Sequence, residues 1–273
     1  MTRSLKYLIL SLCLALSFFN IVSGQTTNKF EFERIEDNSF LIEEAYNQDP
    51  GIIQHISSFQ YMNNHTWFYT FTDEWPVPRK KHQLSATIPV LGPGATGFGD
   101  VLLNYRYQAI LMNRFAFSPR FSLIFPTGNY RKGLGSGTIG YQLSFPFSFL
   151  LSTKIVTHYN LGVTYTPGAK NADGSKVDMT TYNYGLSIIL LLYKNFNLML
   201  EAVGTRTNIK GSNLGSSNSG TFLLNPGFRY AINFKSGLQI VPGLAVPVGL
   251  GASKGTSGLF VYLSFEHPLW KPK

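Results

Sequence analysis

GDVLLNYRYQAILMNRFAFSPRFSLIF, residues 99–125, decides the fold. From 101 to 109 the odd positions are Val101, Leu103, Tyr105, Tyr107 and Ala109, while the even positions from 100 to 108 are Asp100, Leu102, Asn104, Arg106 and Gln108. Met112-Asn113-Arg114 turns the chain. The alternation then resumes with Phe115, Phe117, Phe121, Leu123 and Phe125 against Ala116, Ser118, Arg120 and Ser122. A repeat of two means strands, because successive side chains leave opposite faces of the pleat. In a water-soluble sandwich the greasy face is the inner one and the surface is charged. Here the apolar face is large and aromatic, and the scarce charges share a face with Ser, Asn and Gln. Fat outside and polar inside is what a transmembrane β-barrel requires.

The pattern recurs along the chain. Residues 138–149 alternate Ile139, Tyr141, Leu143, Phe145, Phe147 and Phe149 with Gly140, Gln142, Ser144 and Ser148. Further strands are expected at 52–61, 66–75, 83–90, 155–165, 182–192, 196–205, 221–232, 238–248 and 258–265, about twelve in all and an even number. Arg114, Lys154, Lys194 and Lys235 mark tight turns, whereas the intervening connectors (91–98, 128–135, 167–178, 208–220) are Gly/Ser/Asn-rich and longer. That rhythm puts short turns on the periplasmic side, with both termini. Pro119, Pro146, Pro226 and Pro242 fall inside expected strands and should mark bulges or breaks, since proline donates nothing to the ladder.

Composition agrees with an all-β membrane barrel: 15% aromatic, 14% charged and 26 glycines, where soluble domains carry roughly 25% charged residues. The chain opens with Arg3 and Lys6, an apolar run over 7–22, and Val22-Ser23-Gly24, the order of a secretory signal peptide cleaved near Gly24. That run is too short for a membrane anchor, which wants about 20 residues. The single cysteine, Cys13, lies within it, so disulfides and thiolate metal sites are excluded from the mature protein. Three parts result: a signal peptide at 1–24, an acidic segment at 25–50 and the barrel at 51–273. The formal net charge is +9, yet the basic residues are spread along the chain and no nucleic-acid-binding motif accompanies them. The charge is divided: residues 25–50 carry seven acidic and two basic side chains, net −5, and residues 51–273 carry seven acidic and 19 basic ones, net +12.

Two stretches carry a family resemblance. Phe40-Leu41-Ile42-Glu43-Glu44-Ala45-Tyr46-Asn47-Gln48-Asp49-Pro50-Gly51 with Gln54-His55, and Gly97-Phe98-Gly99-Asp100 with Tyr105-Arg106-Tyr107, resemble signatures of an outer-membrane transporter-like group. That group is labelled as belonging to a phenol-degradation (meta-cleavage) pathway. The resemblance implies an outer-membrane barrel that passes small solutes, hydrophobic or aromatic ones among them. Its partners would be outer-membrane lipid, the solute and, during biogenesis, the barrel-assembly machinery. A monomer without cofactor is expected.

With the apolar faces outward, the lumen should hold Asp100, Asn104, Arg106, Gln108, Arg120, Gln142, His158, Asn160, Glu201, Asn225, Arg229 and Gln239. One reading is a polar path whose arginines favour anionic or hydrogen-bonding solutes. The other is that Arg106, Arg120 and Arg229 pair with Asp100 and Glu201 to fill a small barrel. An enzyme would need a nucleophile and base within hydrogen-bond reach. His158 with Ser144 or Ser148 is conceivable, but no motif links them, and the five histidines show no metal-ligand spacing. A structural or adhesin-type barrel is the third class. In the acidic segment, residues 40–46 with Ser39 as a cap suggest one or two helical turns. Glu43, Glu44 and Tyr46, beside the apolar Phe40, Leu41 and Ile42, are the candidates for a plug docking against the basic barrel near Arg106 or Arg229. A solvated periplasmic tail is the other possibility.

Overall fold

The computed structural model describes residues 39–92, 94–211 and 215–269, together with Ile35. The signal peptide and the acidic residues Glu31, Glu33, Glu36 and Asp37 lie outside the described residues. Twelve antiparallel strands close on themselves. They are β1 (Ile52–Met62), β2 (Trp67–Trp75), β3 (His82–Gly92) and β4 (Gly97–Phe98, Val101–Tyr107 and Ile110–Leu111). Then come β5 (Phe115–Phe117 and Arg120–Phe125), β6 (Gly140–Ser152), β7 (Ile155–Lys170) and β8 (Lys176–Tyr193). The rest are β9 (Phe196–Gly211), β10 (Gly215–Tyr230 with Ile232–Asn233), β11 (Gln239–Ala245 and Val248–Gly249) and β12 (Gly258–Pro268). Closure is the full-length pairing of β1 with β12, from Ile52 opposite Pro268 to Met62 opposite Gly258. With no edge strand left, every ladder has a partner, as lipid demands.

Parity decides which way each side chain faces. Leu103, Tyr105, Tyr107, Phe121, Tyr141, Leu143, Phe145, Leu161, Tyr182 and Tyr184 are exposed, while Asn104, Arg106, Gln108, Ser122, Ser144 and Ser148 are buried. The exposed set is the lipid-facing surface and the buried set lines the interior, so the barrel is inside-out relative to a soluble protein.

Two ends are distinguishable. At the turn end lie the short connectors around Arg114, Lys154, Lys194 and Lys235, and the start of β1 meets the end of β12 there through Leu269 N donating to Gly51 O (2.7 Å). The opposite, loop end departs from expectation. The stretches 167–178 and 208–220 are mostly strand: β7 to β10 run 16 to 18 residues, against 9 to 11 in β1 to β3. About 9–11 tilted residues suffice to cross a bilayer, so these four strands project well past it as a polar collar. The chain crosses 167–168 through a register shift between Thr166 and Ala169, where Gly168 takes φ +59, a left-handed conformation costly for any side chain.

All four prolines mark a local break in pairing. Pro119 interrupts β5, and Pro226 lies opposite the break in β11 while its carbonyl accepts from Val246 N. Pro146 and Pro242 each lie in a continuous ladder on one side and at a gap in pairing on the other, where β5 skips 118–119 and β10 skips 230–231, as expected of a residue without an N–H.

Candidate functional site

Residues 39–49 run along the inner wall of the barrel. The expected helical turn over 40–46 is absent, because the backbone N–H groups are taken by wall side chains instead of by carbonyls one turn back. Leu41 N and Ile42 N donate to Glu201 Oε1 (2.9 and 3.1 Å), Glu43 N to Asn160 Oδ1 (2.8 Å) and Ala45 N to Ser148 Oγ (2.8 Å). Asn47 N donates to Gln108 Oε1 (3.0 Å) and Gln48 N to Gln83 Oε1 (2.8 Å). The Ala45 carbonyl accepts from both Gln108 Nε2 and Ser118 Oγ. The segment is thus held as an extra strand would be, but by side chains. Buried main-chain groups must be satisfied somewhere, and a polar lumen supplies the partners.

Its apolar side chains fit places where the wall is thinned to glycine. Phe40 packs at 5.5 Å against the rings of both Phe260 and Tyr262. A Cβ on Gly227 would come 2.7 Å from Phe40 Cε2, and one on Gly243 would come 2.8 Å from Phe40 Cζ. On β8 a Cβ at Gly185 would collide with Ile42 Cδ1.

Charge is concentrated where the segment crosses β4 and β5. Glu43 bridges two arginines: its Oε1 lies 3.2 Å from Arg106 Nη1 and its Oε2 2.9 Å from Arg120 Nε. Arg106 also donates to Asn47 Oδ1 and to the carbonyls of Glu44 and Tyr46, and its Nη2 lies 3.9 Å from Glu74. One guanidinium, with five fixed donors, therefore ties down four of the five residues from 43 to 47, skipping only Ala45. On the far wall Glu201, fully buried, accepts the two segment amides and Asn225 Nδ2 (2.8 Å). Arg229 Nη2 donates to Ile35 O (3.2 Å), and Glu44, Tyr46, His158 and Arg229 surround one small cavity of about 10 Å³.

Most expected lumen residues come together here: Asn104, Arg106, Gln108, Arg120, Gln142, His158, Asn160, Glu201, Asn225 and Arg229 all face inward. Two do not join them. Asp100 stands at the loop end, where it accepts from Gly128 N (2.9 Å) and from Ser136 N and Oγ (both 2.7 Å), pinning the 126–139 connector. It pairs with none of the arginines, because β4 breaks at Gly99-Asp100 and turns that carboxylate toward the loop. Gln239 lies at the turn end, bonded to Asn233 across its hairpin. The expected pairing of arginines with Glu201 is likewise replaced: the segment's Glu43 and the β2 residue Glu74 serve Arg106 instead. Glu74, Gln83, Ser187 and the three glycines are not among the residues the sequence singles out, and Ser118 is placed there only on the polar face. Parity within β2, β3, β5, β8, β10 and β11 was the signal that would have found them.

Ser148 Oγ and His158 Nδ1 are 2.7 Å apart, the one serine–histidine side-chain pair among the described residues. Both are buried, Ser148 is occupied by the Ala45 amide, and the adjoining cavity has room for about one water. No acyl substrate fits there.

Three solved structures share the architecture. An outer membrane channel from Pseudomonas putida F1 superposes with a TM-score of 0.63 at 12% identity, over 82% of this chain and 97% of that one. The NanC porin gives 0.53 at 8% identity, over 79% and 100%. The KdgM porin, in complex with disordered oligogalacturonate, gives 0.50 at 12% identity, over 78% and 98%. At these identities the likeness is one of fold. No curated protein matches the chain. The family model described as "Putative MetA-pathway of phenol degradation" matches residues 51–257, the greater part of the chain and nearly the whole barrel, and this chain belongs to that family.

Proposed function

We propose that this barrel is an outer-membrane channel for small solutes whose lumen is restricted by its own residues 39–49. The observation that carries the reading is the row of segment amides bonded to lumenal side chains, anchored where Glu43 bridges Arg106 and Arg120. The names of the superposable proteins, a channel and two porins, support a transport role, and the closed, lipid-facing wall supports residence in the outer membrane. In this reading the protein acts as a monomer delivered by the barrel-assembly machinery, and it is a conduit and not an enzyme, since the Ser148–His158 pair has no access for substrate. Deleting residues 26–48 should raise single-channel conductance in planar bilayers while heat-modifiable migration on gels is retained. If the deletion variant assembles and conducts like the parent, the segment does not restrict the lumen.

A further inference from the structure

Above residues 39–49, toward the loop end, the lumen is chemically one-sided. Ser58, Thr70, Thr72, Ser85, Thr87 and Asn104, from four adjacent strands, face a cavity of about 250 Å³. Its floor is Leu41, Ile42 and Glu43. The wall hydroxyls are linked across strands, Ser58 to Thr70 at 2.6 Å and Thr72 to Thr87 at 2.9 Å, while Asn104 Nδ2 donates to Ser85 Oγ at 3.1 Å. A hydroxyl carries one donor and two lone pairs, so each linked pair keeps a donor and acceptor sites for a guest.

The ionic groups bordering the cavity are committed to one another. Arg120 donates through Nε to Glu43 Oε2 (2.9 Å), through Nη1 to Asn104 Oδ1 (2.7 Å) and Ser122 Oγ (2.6 Å), and through Nη2 to Gln142 Oε1 (3.0 Å). Glu43 Oε1 is bonded to Arg106, and Glu74 Oε2 accepts from Gln83 Nε2. Four of the five Arg120 N–H groups are engaged and both Glu43 oxygens face arginines, so a guest ion of either sign would surrender hydration to compete with bonds already made. A neutral guest with hydroxyls meets a wall built to exchange hydrogen bonds, and its C–H face meets Leu41, Ile42 and Leu102.

The geometry points to a binding site for a neutral, hydroxylated small molecule, of single-ring size, on the hydroxyl wall of β1 to β4. The cavity, of about 250 Å³, admits a guest of that size. The place of this site on a transport path rests on the channel reading above.

The test is equilibrium binding to the full-length protein refolded in detergent, by ligand-observed NMR, with three rings of matched size: cyclohexane-1,2-diol, cyclohexanecarboxylate and cyclohexylammonium. The diol should bind saturably and the two ions at least tenfold more weakly. Thr72→Val with Thr87→Val, which replaces the linked hydroxyls by methyl groups, should weaken diol binding at least fivefold. Heat-modifiable migration checks assembly of that variant, and Ser58→Ala carries the same comparison at the neighbouring pair. Carboxylate binding as tight as the diol's, or diol affinity unchanged in assembled hydroxyl-deleted variants, overturns the assignment. Solute entry into proteoliposomes is measured separately. Intact diol binding without entry counts against the channel and leaves the site standing; entry without saturable diol binding counts against the site.

Discussion

Replacing Gly243 with alanine should unseat Phe40 while leaving the barrel wall intact. The new Cβ would meet Phe40 Cε1 and lie 2.8 Å from Cζ, and Arg229 Cβ, 3.3 Å away, blocks retreat to one side. Gly243 is in the middle of a strand paired to Arg229 on β10 and Tyr262 on β12, where alanine suits the backbone at least as well as glycine. The cost therefore falls on the segment. Burying a phenylalanine contributes about 1.5–3 kcal/mol, and its two tilted aromatic contacts add to that. Losing about 2–3 kcal/mol shifts the docked-to-undocked ratio roughly 30- to 140-fold. Two measurements read this: single-channel conductance, which should rise, and amide-exchange protection over residues 40–48, which should fall. Gly204→Ala is the control, because its Cβ would meet the Tyr184 ring on the outer surface, and that ring can swing into lipid. Phe40→Ala should reproduce the effect, and Gly243→Ala added to it should do nothing more, the non-additivity expected of groups in contact. Parent-like conductance and protection in both single variants would refute the claim that this aromatic seat holds the segment.

Other expectations follow from the same geometry. Glu43→Gln leaves Arg106 and Arg120 without their shared carboxylate; it should weaken docking by up to about 3 kcal/mol and move reversal potentials in a salt gradient toward anion preference. An unmoved reversal potential would mean that the two arginines do not face the permeation path. Arginine at an outward position, Leu161→Arg or Tyr141→Arg, should destabilise the barrel by about 2–4 kcal/mol near the midplane, whereas Gln142→Arg should not; equal penalties in urea-driven unfolding from vesicles would contradict the facing assigned here. Asp173, in the exposed turn between β7 and β8, accepts from the Ser175 hydroxyl and amide, and these bonds hold its carboxyl below the usual pKa. A depressed folded value means that the turn's order is present above the unfolded pKa of about 3.9 and lost as pH falls through the folded one. Protection of the Ser175 amide should therefore drop only below about pH 4; a profile flat down to pH 2, roughly two units under that unfolded pKa, would oppose this.

What was legible in the sequence was whatever obeys a period of two between fat and water. Leu103, Tyr105 and Tyr107 against Asn104, Arg106 and Gln108 gave the facing of a whole strand, because lipid and lumen impose opposite chemistry on the two sides. The loop-end halves of β7 to β10 were misread as connectors for the same reason. Beyond the bilayer both faces meet water, so Thr180, Thr181, Asn208 and Ser219 lose the alternation although the ladder continues through them. The Phe40–Tyr46 stretch looked helical because a local reading weighs only local partners, and its real ones are on distant strands. Charge placed Glu43 near Arg106 or Arg229, and the structure pairs it with Arg106. The bridge to Arg120 and the glycine seat for Phe40 depend on register, which parity within one strand does not supply.

The order in which the segment meets the wall has a bearing on how the protein is made. From Gln48 back to Leu41, its amides bond to Gln83, Gln108, Ser148, Asn160 and Glu201, and the sequence separations grow from 35 to 160 residues. Its partners are therefore synthesised in the reverse of the segment's own order. Loop-closure entropy rises slowly with length, so the distant contacts cost little more than the near ones once their strands exist. Docking then runs like a zip started at Gln48 on β3 and finished at Phe40, whose seat between β10, β11 and β12 exists only after the last strands are in place. The seat for residues 40–42 is therefore complete only once β8 to β12 have paired.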